Sequence, residues 1–460
     1  MSAFSWTDAA VREALGLRVE LAREDLVFEG VSTDSRSVRA GDLYVALVGE
    51  RFDGHDFVAD ALAGGARGAV VSGPVAGEPS APLYPVEDTL LALGALAAYR
   101  RARLEVPVVG ITGSAGKTTT KDLVRGALAT SLEVHATRGN LNNRIGMPLT
   151  LLATPLDAQV VVLEMGTNEP GEIAALARIA RPDVGVVITV GEAHLEKLGS
   201  VQGVLDEKLD LLRNLAPEGR AVVGDEPSFL ATAARETCPH VWVAGWSERA
   251  DAHLRPEQVE VDAWGGHRFR WHGHTVTLGV PGRHAVVNAL LALAVAQLLD
   301  VPAKAAAQGI SAVEPGGMRG EVRRVGDLTL LVDCYNANPP SVRAALELLH
   351  GHAGQRKVAV LGSMLELGEA SERLHAEVLR HALALGVDTV VATGAFASAA
   401  QGVGDGRVLA FAEWKDAYAP LRDLLEGDEV VLLKASRGVA LEGMLPLLEA
   451  DFGAALVEEA

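Results

Sequence analysis

The segment VPVVGITGSAGKTTTK, residues 106–121, constrains this chain more than any other. An apolar run, a glycine-rich turn and a polar helix start follow one another, which predicts a buried strand feeding a helix through a tight loop. Backbone amides at such a loop and the positive end of its helix form a cradle for an anion. Lys117 can neutralise phosphate charge there, and Thr118 can offer its hydroxyl to Mg2+. The strict GxxxxGK[ST] spacing is not met, because Ile111 stands where its first glycine belongs; the shorter TGxxGKT form over 112–118 is. Gly113, Ser114, Ala115, Gly116, Lys117, Thr118 and Thr119 are the expected phosphate-binding residues.

The same alternation continues in VVVLEMG, VGVVITVGE and RAVVGDE, which predicts a mostly parallel sheet with helices on both faces. At roughly 150 residues per domain, 460 residues suggest about three domains. Residues 1–84 read as a small α/β substrate domain, with GDLYVALVG and AVVSG as strands around a helix in DFVADALAGGARG. Residues 85–313 form the central nucleotide-binding domain, entered by an amphipathic helix over 87–103. Alternation restarts in LTLLVDCYN, KVAVLGSM, TVVATG and EVVLLKAS, so residues 314–460 are expected to form a Rossmann-like domain. The fold class is therefore α/β in three domains.

Sixty acidic against 41 basic residues leave a net charge of −19, which disfavours a general nucleic-acid or anionic-membrane binder. An anionic ligand must be captured locally. Cys238 and Cys334 lie far apart without metal-ligand spacing, which argues against a disulfide framework or zinc site and for a reducing cytoplasm. The longest apolar helix, expected over 285–299, falls short of the ~20 residues that a membrane span needs. The opening MSAFSWTDAAVREALG has no uninterrupted apolar core, so neither a signal peptide nor an anchor is expected.

Glu164 ends an apolar strand, where a bare carboxylate is costly to bury without a cation or donors. Adjacent parallel strands place their carboxyl ends on one rim, so Glu164 and the phosphate loop can face one Mg2+ ion; a glutamate in a surface loop is the bland alternative. The next strand delivers His194 to that rim. Lys208, in DEKLDLLRNL, reads by itself as a solvated helix lysine flanked by acids. His284 and Asn288 share a face at the start of the helix expected over 284–299, where a capping or core role is equally open. Asp333, Asn336 and Asn338 lie on a strand-to-helix crossover, a usual place for ligand contacts. His267, His272 and His274 fall in a hairpin-like stretch without acidic or cysteine partners, and a metal site is not expected there.

Taken together, STDSR, GDLYVAL, GERFDGHDF, GITGSAGKTTTK, GNLNNRIGMPLTLL, LEMG, AHLEKLGS, PGRH with Asn288, DCYNANP and LGSMLELG resemble the Mur ligase family of peptidoglycan synthesis. GERFDGHDF and DCYNANP point to the branch that adds D-alanyl-D-alanine to a UDP-N-acetylmuramoyl-tripeptide. The resemblance implies that Ser35 and Arg36 hold the UDP-sugar peptide, with Asn140 and Asn143 near the same substrate. Lys117 and Thr118 would serve ATP and its magnesium, Glu164 that magnesium, and His194 a second one. Lys208 matches a lysine that carries CO2 as a carbamate, whose carboxylate serves the second metal or positions the substrate. Asn288, Arg319 and Asp333 would contact ATP, while Asn336, Asn338, Lys434 and Arg437 belong to the dipeptide side. Thr189, Ser363 and Ala435 depart from the asparagine, aspartate and glycine of the family pattern.

The implied reaction is ATP-dependent amide formation through an acyl phosphate, needing positioning and charge stabilisation rather than an enzyme nucleophile. Its catalytic residues would be Lys117, Glu164, His194 and Lys208, working in a cytoplasmic monomer whose third domain closes over the second. The rivals are a sister Mur ligase or a folylpolyglutamate synthetase-like ligase with another amino acceptor, and a catalytically silent ATP-binding scaffold. GERFDGHDF disfavours the ligase rivals, and the presence of all four catalytic candidates disfavours the scaffold.

Overall fold

The computed structural model describes residues 5–77, 81–262, 265–352 and 356–453. Residues 1–4 of the amino-terminal segment and 454–460 of the third domain lie outside them. The first sheet is parallel: β1 (Val31–Ser32), β2 (Leu43–Val45), β3 (Gly68–Val71) and β4 (Leu83–Pro85), in that order. The strand expected in GDLYVALVG is thus shorter than its apolar run, whereas the one in AVVSG takes in all of Ala69–Val71 and starts at Gly68. Within the former, Ala46 and Leu47 already turn into the loop that bridges Val48 to Asp53. Helix α1 (Thr89–Arg101) is capped by Asp88, whose Oδ1 accepts from the amides of Leu90 and Leu91, so it starts two residues later than expected. It buries Leu93 and Leu96 against the first sheet and Ala97 against the second.

The central sheet follows through β5 (Val108–Thr112), α2 (Lys117–Leu128), β6 (Val134–Ala136), β7 (Val160–Glu164), α3 (Glu172–Ala180), β8 (Val184–Val187), α4 (Val201–Arg213), β9 (Arg220–Gly224) and β10 (Val241–Ala244). Its strands run parallel in the order β10-β9-β8-β5-β7-β6. Successive side chains on a strand face opposite sides. Val109, Ile111, Val160 and Val162 therefore enter one core, and Val108, Val161 and Leu163 enter the other. A sheet covered on both faces requires apolar residues at every strand position, which is why these runs do not alternate.

An antiparallel sheet of β11 (Glu257–Val261), β12 (His267–Trp271) and β13 (His274–Thr277) closes one end of the first core with Phe269, Trp271 and Val276. Helix α5 (Arg283–Leu298) follows, apolar nearly all round and buried from Ala285 to Ala296 except Val287. A helix without a polar face belongs inside a core. Among the described residues, no helix is long and apolar enough to cross a membrane. Helix α6 (Ala303–Ser311) then leads to the third sheet.

That sheet contains β14 (Glu321–Val325), β15 (Leu328–Asp333), β16 (Lys357–Leu361), β17 (Thr389–Thr393), β18 (Val408–Phe411) and β19 (Val430–Lys434), ordered β14-β15-β19-β16-β17-β18. Only β14 runs antiparallel; helix α7 (Pro339–Gly351) follows β15. The carboxyl ends of the third sheet face those of the central sheet through the segment 189–196 and the loops after β15 and β16, where Asn338 Nδ2 donates to the Ser114 carbonyl at 3.0 Å.

Helices α2 and α6 cross at Gly126 and Gly309, whose backbones touch; a Cβ on Gly309 would fall inside contact distance of the Gly126 carbonyl. Gly309→Ala must push the helices apart, so unfolding by denaturant should show a loss of about 1–3 kcal/mol. An unchanged midpoint would contradict this close approach.

Candidate active site

Strand β5 ends at Thr112, and Gly116, with φ of 79°, turns the chain into α2. A side chain at Gly116 would be strained by that φ and would also meet Asn288 of α5 at 3.1 Å. Asn288, buried at the start of α5, thus lies directly against the loop. Ser114 ties the loop to the end of the neighbouring strand: its amide donates to the Thr189 carbonyl and its Oγ accepts from the Gly191 amide. What the loop uses at position 189 is a backbone carbonyl, which threonine supplies as well as asparagine would.

Lys117 folds back over the loop and donates to the Gly113 carbonyl at 2.8 Å. Burial pulls its ammonium below the ordinary lysine range, opposed by Glu164 and Glu366 and reinforced by Arg319. The Arg319 guanidinium stacks 3.6 Å from the centre of the Tyr335 ring. Lys117 and Arg319 thus bring two cations from two domains together, with the carboxylates of Glu164 and Glu366 beside them.

Register places Glu164 beside Ile111 at the same rim, and its side chain is buried. The surface-loop alternative fails because Glu164 is the last residue of β7 itself. Its amide donates to Thr137 Oγ1, Oε1 accepts from Asn142 Nδ2 at 2.7 Å, and Oε2 has no partner. Asn140 and Asn143, expected near the UDP-sugar peptide, are both exposed; Asn143 Oδ1 accepts from the amides of Ile145 and Gly146 at the next helix start. Only the path of the loop brings the asparagine between them to Glu164.

His194 follows β8 with φ of 54° and precedes the short helix Leu195–Leu198. Its Nδ1 lies 2.5 Å from Glu366 of the third domain, without the alignment of a hydrogen bond. Such a left-handed conformation costs a residue other than glycine about 1–3 kcal/mol, which surrounding contacts must offset.

Lys208 corrects the reading of a solvated lysine: it is fully buried and its Nζ has no hydrogen-bond partner. Burial moves its ammonium well below the ordinary range, and the charge of Lys117 adds to the shift. The signal was present in the sequence, since Val204, Leu205, Lys208, Leu211 and Leu212 fall on the buried stripe of α4. Glu207 was missed as well. Its carboxylate accepts from the amides of Gly171 and Ile173 and from Thr167 Oγ1, capping α3 and fixing α4 against it.

On the third domain, Lys434 Nζ donates to Asp333 at 2.6 Å and to the Asn336 carbonyl at 2.7 Å. Asn338 caps α7, with Oδ1 accepting from the Ser341 amide, while its Nδ2 reaches Ser114. Ser363 Oγ accepts from the Ala395 amide, and the Ala435 methyl lies 2.8 Å from where a Cβ on Gly362 would stand. Both departures are thus packed into the loop structure. On the first domain, exposed Arg36 pairs through two nitrogens with Asp34 and holds that carboxyl down at about 2; Ser35 lies between them.

Among the described residues, no group of three or more His, Cys, Asp or Glu side chains stands ready for a metal ion. His267 donates to the Gly265 carbonyl through Nδ1, and His272 stacks on Trp271, so these two hairpin histidines are structurally engaged. The rim instead offers Glu164 Oε2, an imidazole and an unpartnered lysine amine. Of these, the Glu164 carboxylate suits Mg2+, which keeps several waters and binds through one or two carboxylates plus substrate phosphates; the lysine amine would offer it oxygen only after conversion to a carbamate.

Three family models match in order: "Mur ligase family, catalytic domain" over 27–101, "Mur ligase middle domain" over 111–296 and "Mur ligase, glutamate ligase domain" over 318–437. UDP-N-acetylmuramoyl-tripeptide--D-alanyl-D-alanine ligase of Bacillus subtilis is 37% identical over 430 residues, covering 91% of this chain and 93% of the relative. A crystal structure of MurF from Acinetobacter baumannii is 32% identical with a TM-score of 0.90, covering 98% of this chain and 100% of that one. MurF ligase from Thermotoga maritima in complex with ADP is 28% identical with a TM-score of 0.83, covering 94% and 99%.

Removing the Glu207 carboxylate strands two amides at the start of α3. Glu207→Ala should lower stability by about 2 kcal/mol, measured by denaturant unfolding, and reduce turnover by displacing Lys208. Unaltered stability would show that the cap is dispensable.

Proposed function

The chain belongs to the Mur ligase family, and we propose that the rim between its central and third domains is where ATP activates a carboxylate for amide formation. It is a MurF-type ligase that adds D-alanyl-D-alanine to a UDP-N-acetylmuramoyl-tripeptide in peptidoglycan synthesis, with ATP leaving as ADP. The agreement with a relative of that activity over nine-tenths of both chains replaces the rivals that take another amino acceptor.

ATP phosphates lie along 113–119, with Lys117 opposing their charge and Asn288 packed behind Gly116. Arg319 and Asp333 meet the nucleotide from the third domain, Asp333 held in place by Lys434. Ser35, Arg36, Asn140 and Asn143 hold the UDP-sugar peptide, and Asn336, Asn338, Lys434 and Arg437 border the dipeptide. Thr118, Glu164, His194 and a carbamate on Lys208 would hold two Mg2+ ions, which neutralise charge on the transferring phosphoryl group. We propose that the enzyme acts as a monomer in the cytoplasm, where its nucleotide-linked substrate is made.

The tripeptide carboxylate attacks the γ-phosphoryl group, giving an acyl phosphate and ADP; the dipeptide amine then displaces phosphate and loses a proton. Lys117 and the start of α2 stabilise charge at the phosphoryl group in the first step. The third domain, bonded to the phosphate loop through Asn338, excludes water that would hydrolyse the acyl phosphate.

The observation that carries this reading is the unpartnered, buried amine of Lys208. An ordinary lysine is almost entirely protonated near neutral pH, whereas CO2 adds only to the neutral amine. Lowering its ammonium pKa raises the neutral fraction, so the site favours an amine that takes CO2 and releases a proton. The resulting carboxylate is an anion placed near Lys117.

Phosphate release with and without D-alanyl-D-alanine tests the reaction. Lys117→Ala should lower turnover by about 100–1000-fold, with a far smaller change in tripeptide binding; near wild-type turnover would remove the phosphate-loop assignment. Lys208→Ala should also be nearly inactive and regain part of its rate with a short carboxylic acid. Full activity without rescue would make Lys208 a structural lysine.

A further inference from the structure

We propose that Glu366 is a positioning residue: carried by the third domain, it orients the His194 imidazole and makes completion of the metal site depend on docking of that domain. This rests on the reading of His194 as a metal ligand. Glu366 makes two contacts with one short stretch of the central domain. Its carboxylate lies against His194 Nδ1, and its carbonyl accepts from the Glu196 amide at 3.1 Å.

The backbone on both sides of this contact is unusual. His194 has φ of 54° and Glu366 φ of 63°, so two residues other than glycine sit in the left-handed region and meet across a domain boundary. Such conformations persist where surrounding structure over-determines them and concentrate at functional sites. Close approach is built in nearby: a Cβ on Gly368 would stand 3.0 Å from Glu196 Cα, so a glycine there lets the loop settle on the helix start.

The loop carrying Glu366 is itself held on three sides. The Met364 amide donates to buried His375 Nε2 at 2.9 Å, the Leu365 amide donates to Ser436 Oγ at 3.1 Å, and Ser363 Oγ accepts from Ala395. A carboxylate on such a support can fix the ring of a partner rather than follow it. An imidazole that turns Nδ1 towards a carboxylate presents Nε2 as its ligand atom, and removing such an outer partner commonly weakens metal affinity. The side chain of His194 is only 14% exposed, so this contact is not an ion pair between two solvated groups.

Mn2+ binding at saturating ADP, followed by electron paramagnetic resonance, tests the proposal without turnover. The Mn2+ site of interest is the one that His194→Ala removes. Glu366→Ala should weaken that site by about 10–100-fold, Glu366→Gln should weaken it less, and His194→Ala/Glu366→Ala should match His194→Ala alone. Thermal melting should be unchanged in both Glu366 variants, because that side chain is half exposed. Loss of Mn2+ in His194→Ala with wild-type affinity in both Glu366 variants would overturn the positioning role alone. Wild-type binding in His194→Ala would overturn the metal reading of His194 and the proposal with it.

Discussion

A lysine amine deprived of both water and a hydrogen-bond partner is the constraint around which the active rim is arranged. Burying an ammonium costs several kcal/mol, so a folded chain avoids it unless the group turns neutral or acquires an opposite charge. Here the cost falls on Lys208, whose place in the apolar stripe of α4 keeps it inside. Glu207, its neighbour in sequence, spends its carboxylate on the start of α3 and leaves the amine unpaired. In the proposed reading, reaction with CO2 would resolve the conflict by exchanging an unfavourable cation for an anion that phosphate chemistry can use.

The parallel sheet turns this local conflict into a site. Because β5, β7 and β8 are level in register, the phosphate loop, Glu164 and the chain leading to His194 emerge at one rim. The third domain contributes Asp333 from the end of β15 and Arg319, Asn338 and Glu366 from the segments around its strands. In the proposed site neither domain holds the full set, so docking would complete it. Ser114, bonded to the 189–191 segment on one side and to Asn338 on the other, physically joins loop, rim and third domain.

Legibility in the sequence followed the range of the interaction. The phosphate loop and the strand-helix alternation were readable because their determinants lie within a few residues of one another, and Glu164 was readable because a charge ending an apolar strand is a local anomaly. The burial of Lys208 was obscured by Asp206, Glu207 and Asp210 around it, although the spacing of Val204, Leu205, Leu211 and Leu212 placed it among apolar residues. Asn142 could not be told from Asn140 and Asn143, since only the loop path decides which amide reaches Glu164. Glu366 was beyond reach for another reason: its partner His194 belongs to a different domain.

The account turns on Lys208 being an amine poised for CO2. Carbon-13 NMR of the full-length protein equilibrated with labelled bicarbonate measures this directly. The predicted result is a protein-bound carbamate resonance that disappears in Lys208→Arg and sharpens or strengthens as ADP and Mg2+ dock the third domain. No carbamate signal at any ligand state, with Lys208 titrating in the ordinary lysine range, would contradict the account.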